Sequence, residues 1–191
     1  MAKSVIMDID GVLCNYNFGI SAIVRELYEI ELPDHPRDIP SWYHCSETIG
    51  KERWSVVWDI VTRNSNFLMS LPPLATPGEF AAIQAMHDVN DVYFVTNRSA
   101  FGSKAITHDW LVAHGITNPT VILSAEKGMI AKGLGAHFVI EDSTENIRDI
   151  RLRSPQTQIY LMLYPYNTDA ITIADKWVTS IGEFTADVLA S

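Results

Sequence analysis

The sequence predicts an α/β protein: a parallel sheet sandwiched by helices, with a small helical insertion after the first strand. Three observations carry this. Short apolar runs recur along the chain, at residues 5–8, 92–96, 120–123, 137–141 and 158–163. Helical patterns separate the later runs, and that alternation builds parallel sheets covered on both faces. Between the first run and Val92, more than 80 residues pass without a convincing strand.

The elements follow in order. Val5-Ile6-Met7 opens the chain as a buried strand and runs directly into Asp8-Ile9-Asp10-Gly11. Residues i and i+2 of a strand share a side, so both carboxylates face one way at the strand's C-terminal end. Next come Ile20, Ile23, Val24, Leu27 and Tyr28 as a helical stripe, and a loop at 32–40 with three prolines. Trp54, Val57, Trp58 and Val61 repeat at i, i+3, i+4 and i+7, which makes the two tryptophans core residues of the insertion. The insertion spans 15–69, and residues 1–14 and 70–191 form the sheet domain, re-entered at Leu71-Pro72-Pro73-Leu74. A helix at 79–87 carries Phe80, Ile83 and Met86. Another at 103–114 carries Ile106, Trp110, Leu111 and Val112, and a short one occupies 127–134. The last two stop at Gly115 and Gly135, the residue type that ends helices. A further helix begins near Ser143.

Bulk properties exclude several classes. With 191 residues, 47% of them hydrophobic, the chain suits one domain with a good core. A net charge of −9 without a lysine or arginine stripe argues against a nucleic-acid polymer as partner. No stretch approaches the roughly 18 apolar residues that span a membrane. The first strand starts too early to leave room for a signal peptide. Cys14 and Cys45 have neither metal-ligand nor disulfide spacing, and the histidines show no ligand spacing. The expected setting is the cytoplasm. The oligomeric state is open, with a homodimer among the options.

The chemistry sits at strand ends. Two adjacent carboxylates repel, so a pair such as Asp8 and Asp10 implies a metal, a shared proton or two separate roles. Three other strand ends carry Thr96-Asn97-Arg98, Ser124-Ala125-Glu126-Lys127 and Glu141-Asp142-Ser143. A parallel sheet brings them to one edge, where open α/β sheets bind ligands. Taken singly, Thr96 and Glu141-Asp142 read as helix caps, and Lys127 as a solvated surface lysine. Their joint order argues for a site.

That order of Asp-x-Asp-Gly, hydroxyl, lysine and acidic pair resembles the haloacid dehalogenase (HAD) superfamily of phosphotransferases, over nearly the whole chain. The chain is most similar to the 5′(3′)-deoxyribonucleotidase branch. The supporting residues are Asp8 to Leu13, Phe67-Leu68 with Leu71-Pro72-Pro73-Leu74, Phe94-Val95-Thr96, Leu123 to Lys127, Ile140-Glu141-Asp142, and Asp175-Lys176-Trp177. The resemblance implies a HAD-like Rossmannoid sheet with a helical cap, and a Mg²⁺-dependent phosphatase of nucleoside monophosphates, chiefly deoxy pyrimidine ones.

It also implies roles. Asp8 attacks phosphorus and forms an aspartyl-phosphate. Asp10 protonates the leaving oxygen and then activates water. Thr96 holds a phosphoryl oxygen, and Lys127 neutralises charge on Asp8 and the phosphoryl group. Lys132, five residues later, falls inside the helix, so Lys127 takes the role. Mg²⁺ is held by Asp8, the Asp10 backbone carbonyl and the Glu141-Asp142 pair, with Asp142 the direct ligand and Glu141 behind it. Tyr16 lines the nucleobase pocket, Trp42 and Tyr43 after the proline-rich loop either stack on the base or simply pack, and Asn97 and Arg98 approach the phosphate, Arg98 having a surface position as its alternative.

The branch usually carries two aspartates where this chain has Glu141-Asp142, and serine where it has Asn97. Three alternatives stay open: a phosphatase of another small ester, a phospho-accepting receiver-like signalling domain, and a non-catalytic binding relative.

Overall fold

A computed structural model describes residues 2–191, with only the backbone described at Ser65. Six parallel strands form one sheet: β1 (Ser4–Met7), β2 (Asp91–Thr96), β3 (Thr120–Leu123), β4 (Phe138–Glu141), β5 (Gln158–Met162) and β6 (Lys176–Val178). Their spatial order is β3-β2-β1-β4-β5-β6. The chain steps outward from β1 to β3, then returns to the other side of β1 and steps outward again. The reversal places a crevice at the C-terminal ends of β1, β2 and β4, where such sheets bind ligands.

The pleat of β1 divides the core. Val5 and Met7 point into one apolar cluster and Ile6 into the other. On the first face lie α5 (Pro77–His87), α6 (Ser103–Ala113) and α9 (Ile181–Ala190), which contribute Phe80, Trp110 and Phe184. The second face is covered by α7 (Lys127–Leu134) and α8 (Thr144–Arg153), with Ala131, Ile147 and Ile150. Local signals set the ends. Thr76 and Glu79 form a capping box at α5, Ser143 caps α8, and Gly135 ends α7 in the left-handed conformation.

Between β1 and α5 the chain is helical, as the sequence predicts: α1 (Tyr16–Tyr28), α2 (His44–Ile49), α3 (Lys51–Arg63) and α4 (Ser65–Met69). The proline-rich loop holds only a 3-10 turn at Pro36–Asp38. Ile20, Val24, Val57, Val61, Phe67 and Leu68 join the first core cluster without a break. Gly19 lets α1 pack closely there, because a Cβ would stand 2.5 Å from both Phe67 and Leu71.

All five expected strands form. The sequence reading lacks β6 and α9. Strand β6 has three residues, and Lys176 and Trp177 are exposed, so no apolar alternation marks it. Helix α9 was readable: Ser180 caps it, and Ile181, Phe184, Thr185 and Val188 repeat at helical spacing. Among the described residues, no helix is long and apolar enough to cross a membrane.

Candidate active site

The end of β1 delivers Asp8, and a tight turn follows. The amides of Val12, Leu13 and Cys14 all donate to the Ile9 carbonyl, and Gly11 N–H donates to the Cys14 carbonyl. Gly11 has φ +83°, which favours glycine. Its missing side chain has a second purpose: a Cβ would collide with the Asp142 carboxylate.

Asp8, Glu141 and Asp142 are buried together, and one oxygen of each lies within 4.8 Å of the others. Lys127, at the first turn of α7 and 2% exposed, reaches among them. Its Nζ is 2.6 Å from Asp8 Oδ1 and 2.6 Å from Glu141 Oε2. The Asp8 contact is an ion pair without hydrogen-bond alignment, so Asp8 Oδ1 has no hydrogen-bond donor although it is buried.

Glu141 is saturated. Its Oε2 accepts from Lys127, and its Oε1 accepts from the amides of Asp142 and Ser143 and from Asn146 Nδ2. Asp142 is freer: Tyr166 Oη donates to its Oδ2 at 2.7 Å, and Oδ1 has no hydrogen bond among the described residues.

The electrostatics follow from this crowding. Burial, reinforced by the charge of Glu141, holds the Asp8 carboxyl well above the usual range even against Lys127. Burial and Glu141 push Asp142 up to about 8. Burial also works to raise Glu141, but Lys127 and the amide donors outweigh it and hold that acid low. Burial opposes the charge on Lys127, yet its two acids win and hold its pKa high. Burial and the Asp142 charge raise the Tyr166 phenol, which keeps its proton as a donor. Three acids therefore face one ammonium, and a divalent cation would close the charge deficit. The open Asp142 oxygen, grouped with Asp8 and Glu141, fits such an ion, since Mg²⁺ takes few carboxylates plus water and phosphate.

Asp10 stands apart from this group. The Arg98 guanidinium forks onto it, with Nε 2.9 Å from Oδ2 and NH2 2.6 Å from Oδ1. Thr96 Oγ1 adds a bond at 3.3 Å, and Arg98 NH1 donates to Thr107. Arg98 is thus not a surface residue; it is buried, paired with Asp10 and part of the cavity lining. Thr96 and Lys127 are also buried, against their readings as helix cap and surface lysine. Ser143, next to Glu141-Asp142, is the cap of α8. Lys132 is exposed.

One cavity of about 600 Å³ collects every residue singled out from the sequence: Asp8, Asp10, Tyr16, Trp42, Tyr43, Thr96, Asn97, Arg98, Lys127, Glu141 and Asp142. The volume suits a small-molecule ligand. Tyr16 packs edge-on against Phe67, while Trp42 and Tyr43 are half-exposed on the wall. Trp58 corrects the sequence reading: it lines the cavity and is 47% exposed. Trp54 packs against the core cluster as expected and lines the cavity as well. The buried core contacts of α3 come from Val57 and Val61, because one apolar stripe is wide enough to serve both core and cavity.

Sequence reasoning missed Tyr166 and Asn167, which follow β5 in a 3-10 segment (Pro165–Thr172). Asn167 Nδ2 donates to the backbone carbonyls of Asp142 and Met162. The signal was the polar and aromatic run Tyr164-Pro165-Tyr166-Asn167 at one more strand end.

Several solved structures share this fold. A HAD family hydrolase from Deinococcus radiodurans R1, with bound phosphate and sodium, matches at 15% identity and TM-score 0.65, over 99% of this chain and 96% of that one. A haloacid dehalogenase-like hydrolase from Streptococcus pneumoniae matches at 11% identity and TM-score 0.62, over 97% and 98%. A hydrolase from Pseudomonas syringae matches at 14% and TM-score 0.58, over 98% of each. No curated protein matches the chain. The fold is that of the HAD-like hydrolases. More narrowly, residues 2–182 match the model of the family "5′ nucleotidase, deoxy (Pyrimidine), cytosolic type C protein", and the chain belongs to that family. It is a hydrolase of the phosphatase and 5′-nucleotidase class.

Proposed function

We propose that the protein is a Mg²⁺-dependent phosphomonoesterase of nucleoside monophosphates, chiefly deoxy pyrimidine nucleotides, acting in the cytoplasm through an aspartyl-phosphate. The observation that carries this reading is that the acids and the aromatic side chains share one cavity. Residues 15–69 act as a cap that supplies the aromatic wall, and residues 1–14 and 70–191 act as the catalytic core. The cap shields the reacting centre from water and reads the base. Stacking on Trp42 or Tyr43 contributes about 1–3 kcal/mol.

An oxygen of Asp8 bonds to phosphorus as the bond from phosphorus to the leaving oxygen breaks. Once the phosphoryl group has taken the Arg98 fork, Asp10 takes a proton from solvent and gives it to that oxygen. Asp10 then takes a proton from water as the water attacks phosphorus. The bond to Asp8 breaks, which releases inorganic phosphate and restores the carboxylate. Arg98 pairs with Asp10 before substrate arrives; a phosphoryl dianion competes for the same fork and frees Asp10 for proton transfer. Thr96 and Asn97 hold phosphoryl oxygens. Lys127 holds Asp8 and neutralises charge. Asp8 and Asp142 would hold Mg²⁺ together with the Asp10 carbonyl, and Glu141 keeps Lys127 in place. When bound, the cation supplies positive charge to the phosphoryl oxygens.

The test is phosphate release from a panel of mononucleotides and sugar phosphates with Mg²⁺. Brisk turnover of sugar phosphates with none of any nucleotide refutes the substrate. An Asp8→Asn variant with wild-type activity would falsify the mechanism.

A further inference from the structure

The geometry points to Tyr166 as a positioning residue that presents Asp142 to the cation through one oxygen and braces the Trp42 wall of the cavity. This rests on the reading of Asp8 and Asp142 as the Mg²⁺ site. Three contacts immobilise Asp142. Tyr166 Oη donates to Oδ2 at 2.7 Å, and Asn167 Nδ2 donates to the Asp142 backbone carbonyl at 2.7 Å. Gly11 abuts the same carboxylate, nearest to Oδ2, so tightly that no Cβ fits between. The Tyr166 hydroxyl therefore claims one oxygen and leaves Oδ1 to ligate.

The Tyr166 loop is itself anchored. Asn167 Oδ1 accepts from Tyr164 N–H at 2.8 Å, and its amide also donates to Met162 at the end of β5. The Tyr164 and Tyr166 rings stack with centroids 5.3 Å apart. Trp42 meets the Tyr166 ring edge-on, with centroids 5.4 Å apart. One tyrosine thus uses its hydroxyl for the cation site and its ring for the aromatic wall. Partners that orient a metal ligand are worth about 10–100-fold in metal affinity.

The two functions separate in Tyr166→Phe, which keeps the ring against Trp42 and removes the hydroxyl. MgCl₂ is titrated calorimetrically into wild type, Tyr166→Phe and Asp142→Asn, and each metal-free protein is melted. The expected result is Mg²⁺ binding to wild type, roughly 10-fold or more weaker binding to Tyr166→Phe, and a larger loss for Asp142→Asn. At saturating Mg²⁺, Tyr166→Ala, which also removes the ring from beside Trp42, raises the nucleotide KM by about 5-fold or more over Tyr166→Phe from lost stacking, and equal KM values for the two variants overturn the bracing of the wall. Mg²⁺ affinity in Tyr166→Phe equal to wild type overturns the inference, and so does a lowered metal-free melting temperature with unchanged affinity, which marks a structural role only. Wild-type affinity in Asp142→Asn, or no Mg²⁺ binding to wild type, overturns the cation site itself and this inference with it.

Discussion

Lys127→Met removes the ammonium that pairs with both Asp8 and Glu141 at 2.6 Å. The shape of the side chain is nearly kept, so the perturbation is electrostatic. Glu141 retains its three donors on Oε1 but loses the partner of Oε2, and Asp8 loses its cation. Breaking a buried pair by removing one member costs about 3–5 kcal/mol. At about 2–4 °C per kcal/mol for a chain of this size, the melting temperature falls by roughly 6–20 °C.

The loss depends on pH in a defined direction. The raised pKa of Lys127 keeps its contribution intact across the neutral range, since that contribution fades only as pH rises through its high folded value. Asp8 and Asp142 have raised values and take up protons as pH falls, while Glu141 stays charged. The gap between variant and wild type is therefore widest near pH 8.5 and narrows toward pH 5.5. Thermal melts and urea titrations of metal-free protein at both pH values measure it. A variant melting within about 2 °C of wild type at pH 8.5 refutes the electrostatic account, because the estimate above puts the smallest loss near 6 °C. Phosphate release should also fall by about 10²–10³.

Further expectations come from the neighbouring contacts. Asp142 has a folded pKa of about 8 against an ordinary 3.8, so the stability it contributes is complete below pH 4 and is lost as pH rises through 8. Asp142→Asn should flatten the decline of metal-free stability between pH 5 and pH 9, and parallel urea-denaturation curves would contradict this. Gly11→Ala, at φ +83° and against the Asp142 carboxylate, should lower stability by about 1–3 kcal/mol and abolish the Mg²⁺-induced rise in melting temperature. Arg98→Met leaves Asp10 without its fork and Thr107 without its donor; a loss of about 1.5–3 kcal/mol in urea is expected. An Arg98→Met midpoint equal to that of wild type would mean that the pair contributes nothing.

Much of this protein is written locally. Apolar runs of four to six residues announce five of the six strands: β1, β2, β4 and β5 lie inside the sheet, where a strand needs continuous apolar sequence, and the edge strand β3 keeps such a run although only its Val121 is buried. Strand β6 escapes because an exposed edge of three residues needs no such run. The site is legible for a related reason. A parallel sheet aligns the C-terminal ends of its strands, so acids, hydroxyl and lysine placed after successive runs must converge, and all of them line one cavity. The i, i+3, i+4 rule misleads at Trp58, where it shows which face of α3 is apolar but not whether core or cavity lies against it.

The sequence by itself determined the fold class, the helical insertion and the set of groups that meet at the strand ends. Only the tertiary structure decided who pairs with whom. Arg98 grips Asp10 across 88 positions of sequence, Lys127 is shared by Asp8 and Glu141, and Tyr166 takes an oxygen of Asp142 from 24 positions away. Periodicity and chain reversal act over a few residues and leave their mark in composition. Which atom a buried carboxylate accepts from depends on what the crossovers carry to within 3 Å of it, and no local pattern encodes that.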